Sequence, residues 1–175
     1  MGESANIPVS PVVTYFDQFT TMEIFMRNSV LAVSAFISAL LSSTAIAQAK
    51  PEDAIKYRQG AYKVMGWNFA PMAAIVKGEK PYDKDAFARH AAILEFASKL
   101  PIEGYGPGTD KGADTKAKPE IWAKMDDFKA KMTKMNEETA KLAAIAKSGS
   151  FDDIKKQFGA TGGSCKACHD DYKNK

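Results

Sequence analysis

The stretch that decides the fold is Lys50–Val76, which reads KPEDAIKYRQGAYKVMGWNFAPMAAIV. Large side chains recur in it every seven residues, with a second set between them, and the resulting stripe predicts an amphipathic helix packed into a bundle. Pro51, followed by two acidic residues, predicts where this helix begins, and Pro71 predicts a kink near its end. The stripe consists of Ile55, Arg58, Tyr62, Met65, Phe69, Met72 and Val76.

Three further segments carry the same helical period. We predict a second helix from about Asp83 to Leu100, a third from Pro119, and a fourth that follows an N-cap at Ser150. No segment alternates polar and apolar residues as a strand would. The sequence therefore predicts an all-α fold, an antiparallel up-down-up-down four-helix bundle.

In such a bundle the end of helix four lies beside the start of helix one, the end of helix two and the start of helix three. The segment 101–118 is rich in glycine and proline, so we expect it to be irregular and to close this end. The side chains expected around the end of helix four are Arg58, Gln59, Tyr62, Met65, Phe96, Leu100, Trp122 and Met125.

Residues 1–47 do not fit the bundle. Met26-Arg27-Asn28 precedes an apolar run from Val30 to Leu41, and Ala45-Ile46-Ala47 forms an A-x-A site. This is the pattern of a secretory signal peptide, with cleavage expected before Gln48. The run is too short to cross a bilayer, so we expect no membrane insertion after cleavage. Residues 1–25 hold no basic residue, and we expect translation to begin at Met26 or Met22, which makes the upstream extension spurious.

The charge of the exported part, residues 48–175, excludes one class of partner. Its 23 basic and 18 acidic side chains give a net charge of +5, spread over single lysines. An excess this small, without a basic block, argues against nucleic-acid binding and predicts weak attraction to acidic partners.

The chemistry is carried by Cys165-Lys166-Ala167-Cys168-His169. C-x-x-C-H is the attachment signature of c-type haem, and on a helix residues three and four apart share one face. Two thiols can then form thioethers to the haem while the imidazole binds the iron. A redox dithiol normally follows a strand in a βαβ unit, and a zinc site needs four ligands where the chain has two Cys and two His in all. We therefore interpret the motif as a covalent haem site.

Four stretches, with the helical pattern around them, resemble the cytochrome c′ family. They are Ala49 to Gln59 (AKPEDAIKYRQ), Gly106-Pro107-Gly108-Thr109, Pro119-Glu120-Ile121-Trp122, and Cys165 to His169.

The resemblance implies a periplasmic homodimer, paired through helices one and two, with one haem c per chain. It implies Cys165 and Cys168 as the covalent attachments, His169 as the axial iron ligand, and a five-coordinate iron open to nitric oxide or carbon monoxide. Arg58 and Gln59 match the family's contacts to the haem propionates, although an arginine so near the helix start can also extend to solvent.

The resemblance also assigns the open side of the iron. Tyr62 falls where the family keeps a bulky residue over that side, and Met65 follows one turn later. The family often has arginine four residues after the axial histidine, where this chain has Lys173, which lacks the planar guanidinium. We interpret His90 as a packed histidine and not an iron ligand.

Two functions remain open. We expect a high-spin haem protein that binds gases and exchanges electrons with redox partner proteins; the alternative is a low-spin electron carrier with Met65 as sixth ligand. We expect no enzymatic activity, because no distal acid or base accompanies Tyr62.

Overall fold

The computed structural model describes residues 50–175. The predicted leader, its start at Met26 or Met22 and its cleavage before Gln48 lie outside the described residues and stay predictions. The helices are α1 Pro51–Val76, α2 Lys84–Ser98, α3 Glu120–Ala123, α4 Met125–Ser148 and α5 Phe151–Tyr172, with a 3-10 turn at Pro101–Gly104 between α2 and α3.

The prediction of an all-α bundle is confirmed. Residues 50–175 contain no strand, only one isolated bridge between Ala117 and Lys173. Over the same residues, no helix combines the length and the apolar character needed to cross a membrane. The four long helices α1, α2, α4 and α5 correspond to the four predicted from the sequence.

Local signals set most helix starts. Pro51 is the first residue of α1, Asp83 caps α2 by accepting from the backbone N–H of Ala86 at 3.0 Å, and Ser150 with Asp153 forms a capping box on α5. The two caps satisfy backbone N–H groups that have no partner inside the helix, and Pro51 has no N–H that needs a partner.

The third predicted helix differs from its prediction, because it is divided in two. A single turn, α3, is followed by a break at Lys124 (φ −129°, ψ 46°), after which α4 continues. The turn is held by the connection 101–118: the indole N–H of Trp122 donates to the Gly106 carbonyl at 3.1 Å. A tertiary contact therefore sets the direction of α3.

The core lies between sequence-neighbouring pairs of long helices. α1 packs along α2, α2 along α4, and α4 along α5, while α1 and α5 approach each other at few points. A stack of Phe69 on Phe158, with ring centroids 4.4 Å apart, bridges this sparse seam. Each long helix supplies fully buried apolar side chains, among them Met72, Phe87, Phe128, Leu142 and Ile154.

Residues 101–118 close one end of the bundle, as predicted. The N–H of Lys118 donates to the Tyr172 carbonyl at 3.0 Å, and the N–H of Asn174 donates to the Lys116 carbonyl at 2.8 Å. The connection is thus tied to the end of α5 by backbone hydrogen bonds.

A buried carboxylate joins α4 to α5. Glu138 is 6% exposed and accepts from Lys134 at 2.7 Å, from the Gln157 amide at 2.6 Å and from Lys141 at 3.0 Å. These hydrogen bonds, the one from Lys134 first, lower the pKa of Glu138 from 4.5 to about 2. The folded protein therefore holds Glu138 charged at pH values where the unfolded chain would protonate it.

This shift predicts a pH dependence of stability. A carboxyl whose pKa is lowered by folding stabilises the protein above its unfolded pKa, and the contribution is lost as the pH falls toward the folded value. For Glu138 that range runs from about pH 4.5 down to about pH 2. We expect Glu138→Gln to be less stable than the parent protein at neutral pH and to lose less further stability over this range. Urea unfolding followed by circular dichroism measures both quantities.

Glu137→Gln is the matched control, because Glu137 is the exposed neighbour on the same helix. It should follow the parent protein at every pH. Parallel stability curves for the parent protein and Glu138→Gln would contradict the assignment.

Candidate haem site

The cysteines lie near the end of α5 and face inward. Cys165 and Cys168 are free thiols, both partly buried and packed against the hydrophobic core. Burial raises the pKa of Cys165, and it raises the pKa of Cys168 to about 11. Both thiols are therefore protonated at neutral pH, whereas a redox dithiol keeps one cysteine reactive through a lowered pKa. The environment does not support the dithiol alternative.

His169 follows Cys168 on α5 and is partly exposed to solvent. It lines an open cavity of about 530 Å³ together with Lys116, Lys118 and Lys173. Burial, and after it the charge of Lys173, lowers the pKa of His169. The imidazole is therefore neutral at pH 7, which is the form that binds a metal ion.

Tyr62 and Met65 lie on the inward stripe of α1, as predicted. Met65 is buried and Tyr62 is partly buried. The Tyr62 hydroxyl lies 3.3 Å from the hydroxyl of Tyr105 and 3.9 Å from the sulfur of Met132. Burial is the main cause that raises the pKa of Tyr62, so the phenol stays protonated.

Arg58 is fully buried, at 1% exposure, and does not extend to solvent. Its Nη1 donates to the carbonyls of Gly104 at 2.7 Å and Thr109 at 2.9 Å, and its Nη2 donates to the Thr115 hydroxyl at 3.3 Å. The guanidinium also lies 4.4 Å from the ring centroid of Tyr105. Dipoles and an aromatic face thus replace the water that a buried cation loses.

The approach of the 3-10 turn to α1 requires glycine. A Cβ at Gly104 would stand 2.7 Å from the Ala54 carbonyl oxygen and 2.9 Å from the Arg58 Cβ. Beside this contact, the amide of Gln59 donates to the Asp114 carbonyl at 2.8 Å. Arg58 and Gln59 together hold the connection 101–118 against α1.

Four of the side chains expected around the end of α5 belong to, or pack against, the same core cluster as the two cysteines: Tyr62, Met65, Trp122 and Met125. Phe96 is 67% exposed, so the expectation that it lines the site is wrong. It follows buried Leu94 by two residues, which on a helix places it on the opposite side. His90 bonds Asn68 at 2.9 Å, as expected of a packed histidine.

Tyr105 and Met132 border the site although no sequence pattern pointed to them. Tyr105 is 7% exposed although it lies in an irregular connection, and its place between two glycines is the available signal. Met132 lies on α4, and helical periodicity does not separate a core sulfur from one that faces the site.

These residues fit a large flat apolar group with anionic edges. The two partly buried thiols lie on α5 and pack against the core, the hydroxyls of Tyr62 and Tyr105 and the sulfur of Met132 lie together, and the buried cation of Arg58 lies beside Tyr105. Among residues 50–175, no group of three or more His, Cys, Asp or Glu is placed to hold a metal ion by itself. The arrangement suits haem better than zinc.

A family model, curated relatives and solved structures all match this chain, and all three point to the same family. The family model for Cytochrome C′ matches residues 53–173. Cytochrome c′ of Rubrivivax gelatinosus is 44% identical over 126 residues, which is 72% of this chain and 98% of that protein. Its crystal structure superposes with a TM-score of 0.70 at the same coverage.

Another similar solved structure is the nitric oxide complex of a leucine-to-alanine mutant of cytochrome c prime from Alcaligenes xylosoxidans. It has 43% identity and a TM-score of 0.68, and covers 73% of this chain and 98% of that one. A family model that spans nearly all of the bundle, relatives of more than 40% identity and a shared fold lead to one conclusion. The chain belongs to the cytochrome c′ family.

Proposed function

We propose that this chain is a periplasmic haem protein that binds nitric oxide or carbon monoxide at a five-coordinate, high-spin iron. One haem c is attached through Cys165 and Cys168, with His169 as the axial ligand. The observation that carries the proposal is the pair of inward-facing, partly buried free thiols immediately before a histidine whose pKa is lowered. When bound, the haem supplies an iron that takes a diatomic ligand and can exchange one electron.

The residues toward α1 support an open sixth position. Tyrosine binds iron as the deprotonated tyrosinate, and burial keeps the Tyr62 phenol protonated. The sulfur of Met132 is already the acceptor of a weak contact from Tyr62. Met65, buried one turn beyond Tyr62, is the remaining candidate and defines the low-spin alternative.

The proposal includes no catalytic residue. Haem enzymes that cleave peroxide place an acid or base over the iron. Tyr62, with its raised pKa, does not exchange its proton near neutral pH. Electron transfer to redox partner proteins remains part of the proposed role.

The spin state of the iron and the covalent attachment of the haem test this proposal. The purified exported protein should show high-spin spectra in both oxidation states, and the reduced spectrum should shift on addition of carbon monoxide. Cys165→Ala together with Cys168→Ala should lose haem that survives denaturation, as seen by haem staining of a denaturing gel. Ser164→Ala, at the neighbouring position, should retain it.

Two other outcomes would count against the proposal. Low-spin bands that carbon monoxide does not change would favour the Met65-ligated electron carrier, and Met65→Leu should then open the site. Parent protein without covalent haem, despite intact attachment machinery, would contradict both haem functions.

Arg58 and Gln59 are proposed to contact the haem propionates while they hold the connection 101–118. Both contribute N–H donors at the end of the bundle where α5 carries the thiols. A guanidinium and a carboxylate form strong, charge-assisted hydrogen bonds. The propionate bending modes in resonance Raman spectra should therefore shift in Arg58→Met and in Gln59→Leu.

The hydrogen bonds from Arg58 to the connection 101–118 predict that replacing Arg58 destabilises the protein. Arg58→Met keeps most of the side-chain length but removes the donor of the Thr109 carbonyl and one of the two donors of the Gly104 carbonyl, which keeps the Thr109 hydroxyl at 3.2 Å. A buried carbonyl without a donor costs about 1–3 kcal/mol, so we expect a destabilisation of about 2 kcal/mol. Urea unfolding measures it, with Arg89→Met on the exposed side of α2 as the control. A loss below about 1 kcal/mol would mean that water replaces the guanidinium easily.

The homodimer is proposed to form through an exposed apolar patch on α1 and α2. Trp67 is 79% exposed and Phe96 67%. The bond between Asn68 and His90 joins the two helices beside Trp67. The patch consists of Tyr57, Val64, Trp67, Ile93 and Phe96. Apolar side chains grouped in this way typically mark an interaction surface, and a two-fold axis would pair the patch with its own copy.

Light scattering after size-exclusion chromatography tests the dimer. The parent protein should have twice the mass of one chain, and Trp67→Lys should be monomeric with unchanged helical content. Ala144→Lys introduces the same charge on an exposed position of α4 and should remain dimeric. If Trp67→Lys is also dimeric, the interface lies elsewhere.

A further inference from the structure

The hydroxyl groups of Tyr62 and Tyr105 lie within hydrogen-bond distance of each other inside the pocket. The two oxygens lie 3.3 Å apart, and either can be the donor. The ring of Tyr105 is enclosed: its centroid lies 4.7 Å from that of Phe128 and 5.7 Å from that of Trp122, and the Arg58 guanidinium lies 4.4 Å away. A ring enclosed on three sides keeps its hydroxyl in one place.

The neighbours decide the direction of this hydrogen bond. The sulfur of Met132, 3.9 Å from the Tyr62 oxygen, can only accept. If Tyr62 donates to this sulfur, its lone pairs are left to accept from Tyr105. The Arg58 guanidinium near the Tyr105 ring withdraws electron density from the Tyr105 hydroxyl. Tyr105 is therefore the better hydrogen-bond donor of the two tyrosines. The chain of donors therefore runs from Tyr105 to Tyr62 and then to Met132.

The last acceptor in this chain is a weak one. A thioether sulfur binds a hydroxyl proton poorly, and here the contact is long. The Tyr62 hydroxyl will therefore donate its hydrogen bond to any stronger acceptor that enters the pocket. Because Tyr62 itself accepts a hydrogen bond, its own hydroxyl is polarised and donates more strongly.

We propose that Tyr105 is a positioning residue whose hydroxyl orients that of Tyr62 toward a diatomic ligand on the haem iron. This inference rests on the proposed function, since the ligand needs a haem on Cys165 and Cys168. With a ligand bound, the Tyr62 hydroxyl would donate its hydrogen bond to the outer atom of the ligand instead of to the Met132 sulfur. The hydrogen bond from Tyr105 to Tyr62 would remain. Ligands with an electron-rich outer atom are thereby favoured.

The carbon–oxygen stretch of bound carbon monoxide reports this hydrogen bond directly. A donor near the outer oxygen increases electron donation from iron into the ligand and lowers the stretching frequency. We expect a higher frequency in both Tyr62→Phe and Tyr105→Phe, and a carbon monoxide dissociation rate that rises about two- to tenfold, the effect of one neutral hydrogen bond. Tyr82→Phe, which removes a hydroxyl elsewhere in the bundle, should match the parent protein.

A double-mutant cycle separates positioning from a general structural effect. Tyr105→Phe keeps the ring that packs on Trp122 and Phe128, so the protein should fold normally. In the Tyr62→Phe background the same change should leave the frequency where it is, because Tyr105 acts through Tyr62. An equal shift in both backgrounds, or none in either, overturns the inference while the proposed function stands. A parent protein that binds no carbon monoxide removes the proposed function and this inference with it.

Discussion

The architecture around the site depends on one buried charge. Arg58 carries a guanidinium at 1% exposure, and a cation can remain there only if dipoles surround it. The connection 101–118 supplies those dipoles through the carbonyls of Gly104 and Thr109. A segment too rich in glycine and proline for regular structure thus gains a fixed course. That course places Tyr105 beside Tyr62 and brings residues 116–118 to the end of α5.

The two sides of the site differ in chemistry. α5 contributes protonated thiols and a neutral imidazole, groups suited to covalent attachment and metal binding. α1, α4 and the connection contribute hydroxyls, a thioether and a cation, groups that line and polarise the pocket. The sparse seam between α1 and α5 separates them. Membership of the cytochrome c′ family accords with this division.

The sequence predicted what local physics determines. The helical period of α1, the capping residues Asp83 and Ser150, and the spacing of C-x-x-C-H all act within a few turns of the chain, and fold class and family followed from them. Contacts between distant residues were not predictable in this way. The break at Lys124 depends on Trp122 reaching Gly106, and the pairing of Tyr62 with Tyr105 spans 43 residues. Phe96 lies near the end of α2 but on the side opposite buried Leu94, so closeness to the end of a helix does not by itself place a side chain in the site.

The distance along the chain between Arg58 and its partners bears on the order of folding. The sequence separations are 46 residues for Gly104 and 57 for Thr115, and closing such loops costs chain entropy before any contact forms. The pairs α1 with α2 and α4 with α5 join neighbours along the chain and can form as hairpins on their own. Loop-closure entropy therefore favours assembly of the two hairpins before the connection packs around the guanidinium. We expect the pocket to take its final shape after the hairpins have formed.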